Sequence, residues 1–264
     1  MICVQGTFDP FTQSELDHIR KLKKENGDVY VFLNDRKAVL SSEERGALIR
    51  KALSPFAHLH FVQKAGYGED ITDEETEKEV RSGYFRKAAA GTKTALIEKR
   101  CYLHEIVFAN CKPKRAEHSL RVADTCVRLA QAWHMDTDQA WCAGMLHDVT
   151  KALSDEEGRK IISIYKKEWE SLSPKVWHSF TASIWLKQNM DFHDQKILNA
   201  ISHHTLGDAR SRLAKILYIA DKIEPGRGYD TTYHMALAEK DLDAAMELVR
   251  KEGEEYRKER TLKE

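Results

Sequence analysis

The stretch Met145-Leu146-His147-Asp148-Val149-Thr150-Lys151 sets an imidazole beside a carboxylate, behind apolar residues and one helical turn ahead of a cation. The grouping reads as a metal pair aimed at phosphate, because imidazole and carboxylate suit first-row transition metals and an ammonium offsets phosphoryl charge. His118, His178, His204 and Asp221 extend it to a set of six, separated by 29, 1, 30, 26 and 17 positions. No local metal motif has that spacing. A helical bundle can nevertheless aim side chains from several helices at one interior point. His204 follows Ile197 and Ile201 at helical spacing, and Asp221 follows Leu217 by four. An aspartate on the buried edge of an apolar helix is costly unless it is paired or bound to a cation. A lone histidine is more often an ordinary core or surface residue, and His134, His193 and His234 are read that way.

The elements that must position these residues are helical. Apolar residues at 116, 120, 123, 126, 127, 130 and 133 mark an inward-facing helix over 116–133. Asp136 caps a helix running through Leu146, and Ser154 with Glu157 forms a capping box for another. Further helical patterns cover 175–188, 194–204, 212–223 and 241–257, so this half is all-α. The earlier half differs. Short apolar runs at 1–5, 29–33 and 58–62 alternate with helical patterns through Leu16, Ile19 and Leu22 and over 42–53, where Ala47, Leu48 and Leu53 turn inward. That β-α-β-α-β order predicts a parallel sheet with helices packed on it. Residues 66–81 read as an acidic surface loop, and 83–107 as helical. Asn110 to Lys114 breaks the pattern, placing the boundary between domains 1–110 and 111–264.

Forty-two basic residues balance forty-two acidic ones, which argues against a protein that coats nucleic acid or an anionic membrane. Five cysteines form no CxxC pair and are expected to be reduced thiols in a cytoplasmic protein. No apolar run approaches the roughly 20 residues of a membrane span.

The first half resembles nicotinate-mononucleotide and pantetheine-phosphate adenylyltransferases through Gly6-Thr7-Phe8-Asp9-Pro10-Phe11-Thr12-Gln13-Ser14-Glu15-Leu16, with Ser82-Gly83-Tyr84-Phe85-Arg86 a blurred echo of a later family motif. Ser14 replaces the family glycine and Glu15 the second histidine, where its charge is expected to repel a triphosphate. The resemblance therefore implies a shortened Rossmann-like α/β nucleotidyltransferase-type domain without transferase activity. His18, one turn later, is the only substitute for the missing histidine and otherwise a solvated residue.

The second half resembles HD-domain phosphohydrolases, and within them the symmetrical diadenosine tetraphosphate hydrolases, through Lys114–Val122, Gly144–Lys151, Trp177-His178, Ala200–Gly207 and Ile216–Arg227. The resemblance implies two metal ions, iron above manganese, cobalt or zinc. His118, His147, Asp148 and Asp221 would hold one, and Asp148 would bridge to a second on His178 and His204. A metal-bridged hydroxide would attack an inner phosphorus of the dinucleoside polyphosphate and give two ADP. Arg115, Lys151, Thr205 and Arg227 are the implied substrate contacts, with Asp148, Lys151 and Arg115 in catalysis. Thr205 and Gly207 favour His204 over His203 as ligand. Hydrolysis of another nucleotide, nucleotide sensing without turnover, and homodimer formation stay open.

Overall fold

The computed structural model describes residues 2–35, 38–53, 59–62, 68–208 and 210–261. The chain divides into two compact units, Met1–Glu105 with Asn189–Phe192, and Ile106–Gln188 with His193–Glu264.

In the first unit β1 (Ile2–Gly6), β2 (Val29–Leu33), β3 (Leu59–Phe61) and β4 (Glu69–Asp70) form one parallel sheet in the order β3-β2-β1-β4. Val4, Val29 and Val31 bury their side chains against Leu16 and Ile19 of α1 (Gln13–Asn26) and Ile49 and Leu53 of α2 (Ser42–Leu53). Ala47 faces solvent instead, because α2 turns Arg45, Leu48, Ile49 and Ala52 inward. The buried Arg45 guanidinium donates to the carbonyls of Thr7 and Asn34, just beyond β1 and β2, and to that of Leu40. Carbonyls that leave a sheet inside the protein need such donors.

Two expectations for this unit are corrected. The acidic stretch is not wholly a loop: it contains β4 and then α3 (Glu74–Arg81), capped by Asp73, whose side chain accepts from the Thr76 amide. Only Val80 and Glu77 of α3 are buried, so its apolar face was too small to register as a helical pattern. The 83–107 stretch is broken into a 3-10 turn, α4 (Lys93–Glu98) and the start of α5 (Leu103–Asn110). Gly83, Gly91, Arg100 and Tyr102 all have positive φ, which interrupts a right-handed helix. The expected third strand extends to His58, which lies outside the described residues, as do Met1 of the first strand and residues 66–67 of the expected loop.

The second unit is helical: α6 (Pro113–Ala132), α7 (Thr137–Leu146), α8 (Asp155–Tyr165), α9 (Pro174–Trp185), α10 (Gln195–His203), α11 (Arg212–Ile223), α12 (Thr232–Ala238) and α13 (Leu242–Thr261). Pro113 and Pro174 each occupy the first helical position, where the missing amide costs nothing. The Ser154 capping box closes as expected. The α6 face is rotated toward Val122 and Leu129, which carries His118 inward. The short α12 escaped the sequence reading, since seven residues give barely two turns of periodicity. Among the described residues no helix is long and apolar enough to cross a membrane, and all five cysteines are free.

Helices α6 and α7 approach each other closely. A Cβ on Gly144 would lie 2.4 Å from the Cα of Ala123, so only glycine lets the two backbones meet. Gly144→Ala should therefore force the helices apart at a cost of about 1–3 kcal/mol and lower the melting temperature of this unit by several degrees. Tryptophan emission on heating reads it selectively, since Trp133, Trp141, Trp169, Trp177 and Trp185 all lie here. An unchanged melting point would mean that α7 shifts off α6 at no cost.

Candidate metal centre

Five helices bring the six expected ligands together. His118 projects from α6, His147 and Asp148 leave the end of α7, His178 projects from α9, His204 follows the last turn of α10, and Asp221 lies on α11. All six are buried. Ligand atoms of His118, His147 and Asp148 form one compact group, and those of Asp148, His178 and His204 another. Asp221 Oδ1 lies 3.0 Å from His118 Nε2 and 3.8 Å from His147 Nε2. Asp148 Oδ1 lies 3.0 Å from His178 Nε2 and 3.7 Å from His204 Nε2, while its Oδ2 lies 3.5 Å from His147 Nε2. Asp148 is thus common to both groups.

Two of the imidazoles are oriented by the main chain. His147 Nδ1 donates to Gly144 O at 2.6 Å, and His204 Nδ1 to Ile201 O at 2.7 Å, a carbonyl that also accepts from the His204 amide. With Nδ1 carrying the proton, each Nε2 presents a lone pair to the cluster. His147 Nε2 is buried with no hydrogen-bond partner. A lone pair facing two carboxylate oxygens is repelled by both, and a cation between them converts the repulsion into coordination. The donor set therefore fits a pair of metal ions, with imidazole and carboxylate donors appropriate to iron, manganese, cobalt or zinc.

Protonation points the same way. Burial pushes the His147 ring down to about 4, and also lowers His178 and His204. Burial by itself would raise Asp148 and Asp221, but His147, His178 and His204 around the first, and Lys222 and His118 beside the second, hold both well below the carboxylate range. Neutral imidazoles with ionised carboxylates are the form that binds metal without first losing protons.

Cations surround the cluster. Arg115 bonds Asp148 Oδ2 at 3.0 Å, Lys151 Nζ lies 2.9 Å from His178 Nδ1, and Arg227 donates to the carbonyl and Oδ1 of Asp221. Lys222 pairs with Asp221 Oδ2. The Thr205 hydroxyl is engaged with Ser179 Oγ and the Val176 carbonyl, joining the end of α10 to α9. His203 lies apart, half-exposed and bonded to Asp208 at 2.6 Å, which distinguishes it from His204.

One functional residue was not singled out from the sequence. Glu224 is buried and accepts from His118 Nδ1 at 3.0 Å, from Arg121 Nε at 2.6 Å and from the Gly226 amide at 2.6 Å. It fixes the His118 ring so that Nε2 faces Asp221, a carboxylate acting behind a ligand histidine. Its signal was available: it lies three residues after Asp221, at the C-terminal cap of α11.

The histidines predict how the metal-free protein responds to acid. His147 has an ordinary value of 6.5 when unfolded and about 4 when folded, so its contribution is complete above 6.5 and is lost as pH falls from there toward 4. His178 and His204 act in the same direction. The loss from His147 alone is on the order of 3 kcal/mol. Urea denaturation in chelator, followed by tryptophan emission from pH 7.5 to 4.5, should show a steep decline in stability. A flat profile would contradict neutral burial of these rings.

Residues 115–226 match the HD domain family. A Staphylococcus aureus protein named symmetrical bis(5'-nucleosyl)-tetraphosphatase is 35% identical over 138 residues, which cover 49% of this chain and 70% of that one. A Mycoplasma pneumoniae protein named "Probable nicotinate-nucleotide adenylyltransferase/Ap4A hydrolase" is 31% identical over 175 residues, 63% of this chain and 51% of that one. Among solved structures, a Clostridium acetobutylicum protein described as a predicted HD superfamily hydrolase involved in NAD metabolism superposes with a TM-score of 0.55 at 32% identity, covering 60% of this chain and 87% of its own. By this match and these relatives the chain belongs to the HD-domain hydrolases, in the branch that contains the symmetrical bis(5'-nucleosyl)-tetraphosphatases.

Proposed function

We propose that the helical unit hydrolyses diadenosine tetraphosphate symmetrically to two ADP, with two metal ions, iron by preference, on His118, His147, Asp148, His178, His204 and Asp221. The observation that carries the reading is His147 Nε2, a buried lone pair with no partner and two carboxylates within 4 Å. When bound, the metal pair supplies Lewis-acid activation of the phosphoryl group and of the attacking water. Water adds to one of the two central phosphorus atoms, the central P–O–P bond breaks, and the bridging oxygen leaves with the second ADP.

The chain's own residues provide the rest. Arg115 and Arg227 pair with Asp148 and Asp221, and Lys151 contacts the neutral His178 ring; all three can bind phosphate oxygens and offset charge as it develops. Glu224 keeps the His118 ring oriented. Thr205 contributes through the α9–α10 junction rather than through a hydroxyl turned to substrate.

The first unit is read as lacking transferase activity. Glu15, which replaces the family histidine, is buried and accepts from the amides of Thr12 at 2.8 Å and Asp73 at 3.1 Å. Its carboxylate satisfies the N-termini of α1 and α3 from within, where helix amides would otherwise meet a phosphate. It acts as an internal anion more than as an exposed repelling charge. His18 lies 3.3 Å from Glu69.

Four outcomes test the reading. Purified protein incubated with diadenosine tetraphosphate should release ADP alone; AMP with ATP would indicate asymmetric cleavage, and no turnover would favour nucleotide sensing. Asp148→Ala removes the ligand common to both groups and should reduce metal content from two ions to at most one, with activity falling to background. Glu224→Gln should cost roughly 10- to 100-fold in metal affinity or activity, measured by metal titration; an unaffected variant would remove its positioning role. Supplied with ATP and nicotinate mononucleotide, the protein should release no pyrophosphate.

A further inference from the structure

Three of the four ligand imidazoles have an acceptor behind the ring: Glu224 for His118, the Gly144 carbonyl for His147 and the Ile201 carbonyl for His204. A partner of this kind sets which nitrogen faces an ion and how the ring is turned. His178 differs. Apart from Asp148 itself, its ring meets no carbonyl or carboxylate among the described residues; the group beside it is the Lys151 ammonium, 2.9 Å from Nδ1 and 3.1 Å from Nε2. An ammonium has donors only, so it cannot accept a ring N–H, and its reach to both nitrogens selects neither. The aim of this ring must come from the main chain that carries it.

That main chain is tied down by hydroxyls. Thr150, buried two residues past Asp148, donates to the His178 carbonyl at 3.0 Å. Each hydroxyl has one proton. With that of Thr150 on the carbonyl, the buried Thr181 hydroxyl, 2.8 Å away, donates to the Thr150 oxygen in preference to the same carbonyl, which lies 3.4 Å from it. Thr150 is in turn held close to Asp148, since the Lys151 amide bonds the Asp148 carbonyl at 2.8 Å and the Leu153 amide bonds that of Thr150 at 3.1 Å. The Cα–Cβ direction of a helical residue follows from its backbone, so fixing the His178 carbonyl against this turn fixes where the ring leaves α9. A second pair of hydroxyls works on the other side. Ser179 donates to the Val176 carbonyl at 2.9 Å, which leaves its oxygen to accept from Thr205, also at 2.9 Å. His178 is thus bracketed between the segment that bears Asp148 and the segment that bears His204, the two residues with which it forms one ligand group.

We infer that Thr150 is a positioning residue for the second metal ion: its hydroxyl holds His178 in register with Asp148, and without it the ion on Asp148, His178 and His204 is weakened while the ion on His118, His147, Asp148 and Asp221 stays in place. The inference rests on the two-metal reading above and assigns the residue that sets one of its halves. The halves are then built differently, one on the buried charge of Glu224 and the other on uncharged hydroxyls.

The test is equilibrium dialysis of the full chain, stripped of metal by chelator and titrated with Mn²⁺. Wild type should take up two ions. Thr150→Val keeps the branched shape but not the hydroxyl; it should bind the first ion as wild type does and the second roughly 10- to 100-fold more weakly. Thr150→Ser should restore the second ion. Thr181→Val, which leaves Thr150 on the carbonyl, should act in the same direction to a smaller extent and serves if Thr150→Val does not fold. A second ion unmoved by Thr150→Val, both ions weakened alike, or Thr150→Ser no better than Thr150→Val overturns the inference, as does a lowered melting temperature with both ions bound normally. Wild type that binds two ions yet leaves diadenosine tetraphosphate intact sinks the hydrolase reading and keeps the role of Thr150, whereas wild type that takes up one ion only overturns the two-metal site and the inference together.

Discussion

Two unprotonated ring nitrogens, one on His147 and one on His204, face carboxylate oxygens inside the helical core. That arrangement is repulsive in isolation, and the bundle sustains it by directing both ring N–H groups to carbonyls at helix ends. The neighbouring features follow from the need to manage this charge. Arg115, Arg227 and Lys222 balance the aspartates, Glu224 with Arg121 holds the opposite side of His118, and Gly144 lets α7 approach α6 closely enough for His147 and His118 to share one centre, their rings 5.4 Å apart. A buried carboxylate of this kind is costly without partners, and each aspartate here has several.

Much of this was legible in the sequence. The identities and order of His118, His147, Asp148, His178, His204 and Asp221 could be read because each lies in a block with its own apolar spacing, and three of the helices that carry them announce their starts through Asp136, Asp194 and Ser211. How the rings are aimed was not legible. A main-chain acceptor leaves no residue signature, since any amino acid at position 201 supplies the same carbonyl. Glu224 was passed over for a related reason: beside an obvious aspartate, a glutamate one turn later looks like an ordinary helix end.

The α/β unit was harder to read. Its strand and helix order was visible in runs such as Val29–Leu33, but α3 buries too little to show a period, and the positive φ values at Arg100 and Tyr102 depend on tertiary contacts no local pattern encodes. Glu15 illustrates the limit most clearly. From sequence, a carboxylate in a phosphate-binding motif signals repulsion; in the fold it is buried, its protonation raised to about 7 by that burial, and it is held by two main-chain amides.

That carboxylate has a thermodynamic consequence. Domains built to cradle a nucleotide commonly gain stability from its occupancy, in proportion to the logarithm of ligand concentration. Here the helix ends around Glu15 are already satisfied by a group the chain carries with it. The loop thus draws its shape from a group carried in the chain, and the main-chain amides of Thr12 and Asp73 have a partner without any ligand.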